Sequence, residues 1–148
     1  MPHEYGLTDQ MNKRIAAKRD ASTEQAALRW IFGILGESLP QDQPFENVLH
    51  DGTVLARFMK KIRPDLLPQK INTNNIEASQ RENIGNFIQA ASKLGLRSYE
   101  IFQTNDLYDK KDIPQVTVCL NALGTKLQET NPDLPAFGPP PKRGSISK

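Results

Sequence analysis

Val48-Leu-His-Asp-Gly-Thr-Val-Leu-Ala-Arg-Phe-Met-Lys-Lys-Ile-Arg-Pro64 is the stretch whose reading decides the fold. Read as a strand pair, Asp51-Gly52 would be a tight hairpin turn. Read as a helix, Val54, Leu55, Phe58, Met59 and Ile62 share one apolar face. The flanks do not alternate with period two, so the helical reading prevails. Asp51 is then expected to cap the helix, because a short carboxylate ahead of a helix accepts from an unpaired amide and favours the positive end of the dipole. Pro64 ends it, since proline has no amide to donate and steers the preceding residue away from helical geometry. A short helix this apolar needs other helices around it.

The flanking sequence supplies them. On the N-terminal side, Ser22 with Gln25 has the form of a capping box, and Leu28, Ile31, Phe32 and Leu35 continue at helical spacing to about Glu37. Trp30, the one tryptophan, reads as a partly buried core residue. Prolines make Ser38 to Pro44 a loop, and Phe45 to Leu49 a brief helical turn. Further out, Leu7, Met11 and Ile15 give a thin apolar stripe on a short helical arm.

On the C-terminal side, Pro64 to Ala78 is irregular, and Leu66, Leu67, Ile71 and Ile76 are expected to pin it to the core. Ser79-Gln-Arg-Glu82 repeats the capping-box form before an amphipathic helix carrying Ile84, Phe87, Ile88, Ala91 and Leu94. Gly85 inside it costs about 1 kcal/mol against alanine and is read as allowing another backbone to come close. Gly95 stands where a left-handed cap is wanted. Asp112 and Pro114 start a last helix through Val116, Cys119, Leu120, Leu123 and Leu127, to about Gln128. Cys119 on its apolar face reads as a packed small hydrophobe. The expected fold class is therefore all-α, with four main helices plus short helical turns. The expected division is an N-terminal arm and short helix over 1–20, a domain over 21–130, and a flexible Pro/Gly/Ser-rich basic tail over 131–148.

Composition excludes several functions. The 148 residues, 37% hydrophobic and 24% charged, suit one soluble domain with a real core. A net charge of +2 gives no global field for nucleic acid, and no aromatic interleaving suggests single strands. One cysteine makes no internal disulfide and no paired metal site, which fits a cytoplasmic setting. No apolar run is long enough to span a membrane.

Catalytic patterns are missing too. His3 and His50 have no nucleophile or oriented carboxylate nearby in sequence. No phosphate-cradling glycine loop occurs, so no cofactor is expected. Asp106, Asp109 and Asp112 surround Lys110-Lys111 and read as a solvated loop with a helix cap, not a metal site. What remains is basic clusters: Lys60, Lys61 and Arg63; Lys110 and Lys111; Lys142 and Arg143. Together they suit several weak contacts to an acidic filament surface. These patterns describe a helical interaction module, not an enzyme.

Tyr5-Gly-Leu-Thr8, Lys18-Arg-Asp20, Leu49-His-Asp-Gly-Thr-Val-Leu55, Lys70-Ile-Asn72, Glu82-Asn-Ile84 with Asn86-Phe-Ile88, and Phe102-Gln-Thr-Asn-Asp-Leu-Tyr108 together resemble a calponin homology domain. The match runs over roughly residues 5–130. Asp106-Leu-Tyr-Asp-Lys-Lys-Asp-Ile113 and Ala122-Leu-Gly124 resemble, more narrowly, the calponin/transgelin group and its invertebrate muscle members of the muscle protein 20 and myophilin type. The resemblance implies a compact domain in which the helix after Asp51 is buried by the helices near 22–37, 79–94 and 112–128. It implies a cytoplasmic, cytoskeletal module without enzymatic activity that binds or stabilises actin filaments or regulates contraction in muscle. The alternative it leaves is an adaptor for signalling and cytoskeletal proteins with weak or indirect actin binding. Ala78 and Arg81 stand where members usually carry an aromatic and an apolar residue, so the rim of that helix is expected to pack differently. No calponin-type repeat, which supplies much of the actin contact in members that have one, is visible in Gly138 to Lys148. The basic-then-serine run Lys142-Arg-Gly-Ser145 makes Ser145 a candidate for phosphorylation.

Overall fold

The computed structural model describes residues 19–141. Six α-helices follow in order: α1 (Ala21–Leu35), α2 (Phe45–Val48), α3 (Thr53–Ile62), α4 (Glu77–Leu94), α5 (Thr104–Tyr108) and α6 (Ile113–Thr130), with a 3-10 turn at Ser98–Glu100 before α5. Among the described residues there is no strand. The four long helices are the four expected, and α2, α5 and the 3-10 turn are the short ones. The short arm expected before residue 19 lies outside the described residues.

Helix starts follow local hydrogen bonding more closely than motif spacing. Asp20, not Ser22, caps α1: its carboxylate accepts from the amides of Ser22 and Thr23 and from both hydroxyls. Those bonds, the Ser22 hydroxyl first, hold the Asp20 carboxyl below its ordinary value. At α4 the expected box at Ser79 and Glu82 does not form, because the helix already begins at Glu77. Asn74 sets that start, its side chain accepting from the Ile76 amide at 2.8 Å. Glu82 instead accepts from the Asn72 side chain at 2.9 Å. Asp51 does cap α3, but from one position further out. Its Oδ1 accepts from the Thr53 amide at 2.9 Å and hydroxyl at 2.7 Å, while Gly52 takes the left-handed turn at φ 78°. Gly95 and Asp112 act as expected, the first at φ 118°, the second accepting from the Gln115 amide.

The five residues that share the apolar face of the opening stretch are all buried, Leu55, Phe58 and Met59 completely. Facing them are Ile31 of α1 and Ile84 and Phe87 of α4, also sealed from solvent. α3 packs chiefly on α4 and α1, whereas α6 lies mainly on α1, α5 and the 3-10 turn. Leu67 is buried, and Leu66 and Ile71 pack on the core, but Ile76 is 60% exposed and pins nothing. Gly85 is also not a close-approach site, since a methyl there would meet nothing within 4 Å.

Asn83 of α4 is the polar centre of this packing. It is 1% exposed and fully satisfied: its Oδ1 accepts from the Asn72 amide, and its Nδ2 donates to the carbonyls of Asp51 and Asn72. One side chain thus ties the turn before α3 to the 64–76 loop. The closeness leaves no room at Gly52, where a methyl would come within 2.7 Å of the Asn83 Cβ and 2.9 Å of the Ile84 amide nitrogen.

The C-terminal segment departs from expectation. Residues 131–141, read from sequence as the start of a free tail, turn at Asn131–Leu134 and run back along α6. Phe137 stacks on Trp30 with ring centres 4.8 Å apart, and the Trp30 indole donates to the Pro135 carbonyl at 2.8 Å. Composition could not show this, because the Pro135 carbonyl finds its partner, the Trp30 indole, 105 positions away.

Candidate interaction surface

The expected basic residues among those described fall near the two ends of α3. Lys60, Lys61 and Arg63 close α3, whereas Lys110 and Lys111 follow α5, whose Tyr108 stacks on His50 just ahead of α3. A ten-residue helix, about 15 Å, therefore lies between the pairs. They form two sites, not one patch.

Within the first cluster the cations differ in freedom. Lys60 donates to the Leu67 carbonyl at 3.0 Å, and Arg63 forks onto Asp65 through Nε and Nη2. Those bonds raise the Arg63 pKa and lower that of Asp65. Lys61 is exposed and makes no ion pair among the described residues. Lys110 and Lys111 are exposed as well. Lys110 holds a left-handed turn at φ 59° and adds slightly to the field that keeps the Glu46 carboxyl low, after the larger effect of the Arg19 hydrogen bond. Lys142, Arg143 and Ser145 lie outside the described residues.

The rim of α4 is where the departure at Arg81 shows. Its guanidinium reaches Glu77 at 2.8 Å, Asn105 at 3.1 Å and Asp109 at 2.9 Å, and lies 4.4 Å from the centre of the Tyr108 ring. Tyr108 in turn donates to the Gln80 side chain and stacks on His50 at 4.2 Å. Its hydrogen bonds to Glu77 and then to Asp109 raise the Arg81 pKa, and the bonds to Asn105 and Asp109 tie α4 to α5 and the Lys110 turn. A second ion cluster joins Arg19 to the buried Glu24 through two bonds of 2.9 Å and to Glu46 at 2.8 Å. These partners, Glu24 first, raise the Arg19 pKa.

His50 Nδ1 is buried without a hydrogen-bond partner among the described residues, and its ring lies against Tyr108. Cys119 is sealed in the core, and burial pushes its thiol up to about 12, far from a reactive thiolate. Among the described residues no group of three or more His, Cys, Asp or Glu could hold a metal, and no helix is long and apolar enough to cross a membrane. A shallow groove of about 600 Å³ runs between the 3-10 turn, α6 and Pro139 to Pro141, with Tyr99 and Val118 exposed along it.

An all-helical module with a buried central helix and charged ends is what the geometry defines. The model of the calponin homology (CH) domain family matches residues 21–129, and the chain belongs to that family. It is 40% identical over 142 residues to myophilin of Echinococcus granulosus, covering 94% of this chain and 74% of that protein. It is 40% identical over 111 residues to muscle-specific protein 20 of Drosophila melanogaster, covering 75% and 60%. Among solved structures it resembles the calponin-homology domain of an IQGAP protein from Schizosaccharomyces pombe, with TM-score 0.67, 27% identity and 84% and 81% of the two chains covered. The chain thus spans three quarters of one relative and three fifths of the other, and the calponin/transgelin resemblance read from sequence holds.

Proposed function

We propose that this chain is a non-catalytic, actin-associated cytoskeletal module that binds or stabilises filaments, in a muscle setting like that named in its relatives. Membership of the calponin homology family over residues 21–129, shared with two muscle proteins over most of the chain, is the observation that carries the reading. Lys61, Lys110 and Lys111 are the exposed cations best placed to meet an acidic filament, with Lys60 and Arg63 behind Lys61 as partly committed neighbours. Lys142 and Arg143 extend the same charge, and phosphorylation of Ser145 would weaken it by placing negative charge beside them. The location that goes with this role is the cytoplasmic cytoskeleton.

Two separated basic sites also support the adaptor reading, in which a cytoskeletal or signalling protein docks on the helical surface and the link to actin is indirect. Co-sedimentation with filamentous actin at two salt concentrations separates the readings. Direct binding gives saturable pelleting that weakens with salt and falls in the triple variant Lys61→Glu, Lys110→Glu, Lys111→Glu. Absence of pelleting at low salt removes the actin reading and leaves the adaptor.

A further inference from the structure

Residues 135–139 are held to α1 and α6 in the manner of a bound peptide. No main-chain hydrogen bond to other main chain involves 135–141 among the described residues. Instead side chains of the helices donate to one carbonyl after another. Trp30 Nε1 takes Pro135, Gln128 Nε2 reaches Phe137 at 3.1 Å, Gly138 at 3.3 Å and Pro139 at 3.2 Å, and the Thr125 hydroxyl also takes Pro139. A proline-bracketed segment with no internal main-chain bonds, read through its carbonyls by helix side chains and an indole, resembles a recurring recognition mode.

Shape adds selectivity. α6 has a notch at Gly124, where a methyl would come within 2.3 Å of the Phe137 carbonyl oxygen. The segment answers with its own glycine: at Gly138, φ 79°, a methyl would meet the Asn121 carbonyl at 2.6 Å. Between the two notches the Phe137 ring lies 19° from parallel with Trp30, which keeps its edge on Phe58 of the core. Pro135, Ala136, Pro139 and Pro140 remain exposed. So little burial outside one ring makes this a segment that can open without unfolding the bundle.

We propose that the α1–α6 face is a peptide-binding groove for a Pro-x-Phe-Gly-Pro segment that turns at its glycine, occupied in cis by residues 135–139 acting as a displaceable strap. A tethered occupant competes with any free segment of the same chemistry, and the apparent affinity for the free one falls by the fraction of open groove.

Trp30 is the sole tryptophan and reports directly on the groove. The probe is a synthetic peptide with the sequence of residues 133–141, titrated into the full chain and into its Phe137→Ala variant. The proposal expects Phe137→Ala to keep the helical circular dichroism and cooperative unfolding of the parent while changing Trp30 emission. Added peptide should restore that emission saturably, binding the variant about tenfold or more tightly than the parent chain. Adding Gly124→Ala to the variant should abolish the titration while the helices stay intact. Loss of helical signal in Phe137→Ala would make the segment part of the core and overturn the proposal. So would a peptide that never titrates, one that binds parent and variant alike, or one that ignores Gly124→Ala.

Discussion

The two ends of α3 are built on opposite terms. At the N-terminal end, Asp51, Gly52 and Thr53 sit in a turn fastened by Asn83, with no space left for a methyl at Gly52. At the C-terminal end, Lys61 stands exposed, and Arg63 is held only by a pairing with an exposed neighbour, Asp65. The first end is dense, polar and satisfied, so its residues are constrained by one another. The second is set by the helix and by bonds from Lys60 to the Leu67 carbonyl and from Arg63 to Asp65, which leave Lys61 exposed and free of ion pairs among the described residues. The stretch with the most recognisable sequence is architectural, and Lys61 beyond it is the cation proposed to meet a partner.

The sharpest way to break that contrast is Gly52→Ala. The new methyl would lie 2.7 Å from the Asn83 Cβ and force a left-handed backbone on alanine at once. Strain and displacement together should cost more than about 3 kcal/mol in urea unfolding. An unchanged midpoint would mean the turn is soft. Asn83→Leu comes next, at about 3 kcal/mol, because it strands the Asn72 amide and the carbonyls of Asp51 and Asn72 in one step. Loss of protection at the amides of the 64–76 loop in hydrogen exchange should accompany it. The opposite sign is expected one residue past Ile84. Gly85→Ala fills open space on a regular helix, so it should stabilise by about 1 kcal/mol. Two glycines on the same seam would then differ by several kcal/mol in their response to one methyl.

Much of this architecture was legible in the sequence because it is periodic. The apolar faces of α1, α3, α4 and α6 each repeat at helical spacing, and the caps at Asp51, Gly95 and Asp112 follow from local chemistry. What was displaced by two or three positions, the starts of α1 and α4, went to an earlier competitor: Asp20 ahead of Ser22, and Asn74 ahead of Ser79. Asn83 stood inside a quoted motif without a role, since its partners lie 11 and 32 positions off. The strap was illegible for the same reason at greater range. At the candidate site, the sequence could name the basic residues but not their commitments. Only geometry separates Lys61, which is free of ion pairs among the described residues, from Arg63, which faces its own carboxylate.

That separation sets the smallest effect on stability and the most useful one for function. Lys61→Glu replaces an exposed side chain in the last turn of α3, and its stability cost should stay within about 0.5 kcal/mol. A small loss remains because a cation near a helix C-terminus is favourable and an anion there is not. Arg63→Glu is different, since it sets a carboxylate beside Asp65 and frees nothing. If the C-terminal end of α3 meets filamentous actin, Lys61→Glu should weaken pelleting at low salt, and the difference from the parent should shrink as salt rises. Arg63→Ala should weaken it less, because Asp65 already offsets that charge. Equal losses from the two substitutions would show that the end acts as an undivided patch, and the contrast between a built end and an available one would then rest on the N-terminal side alone.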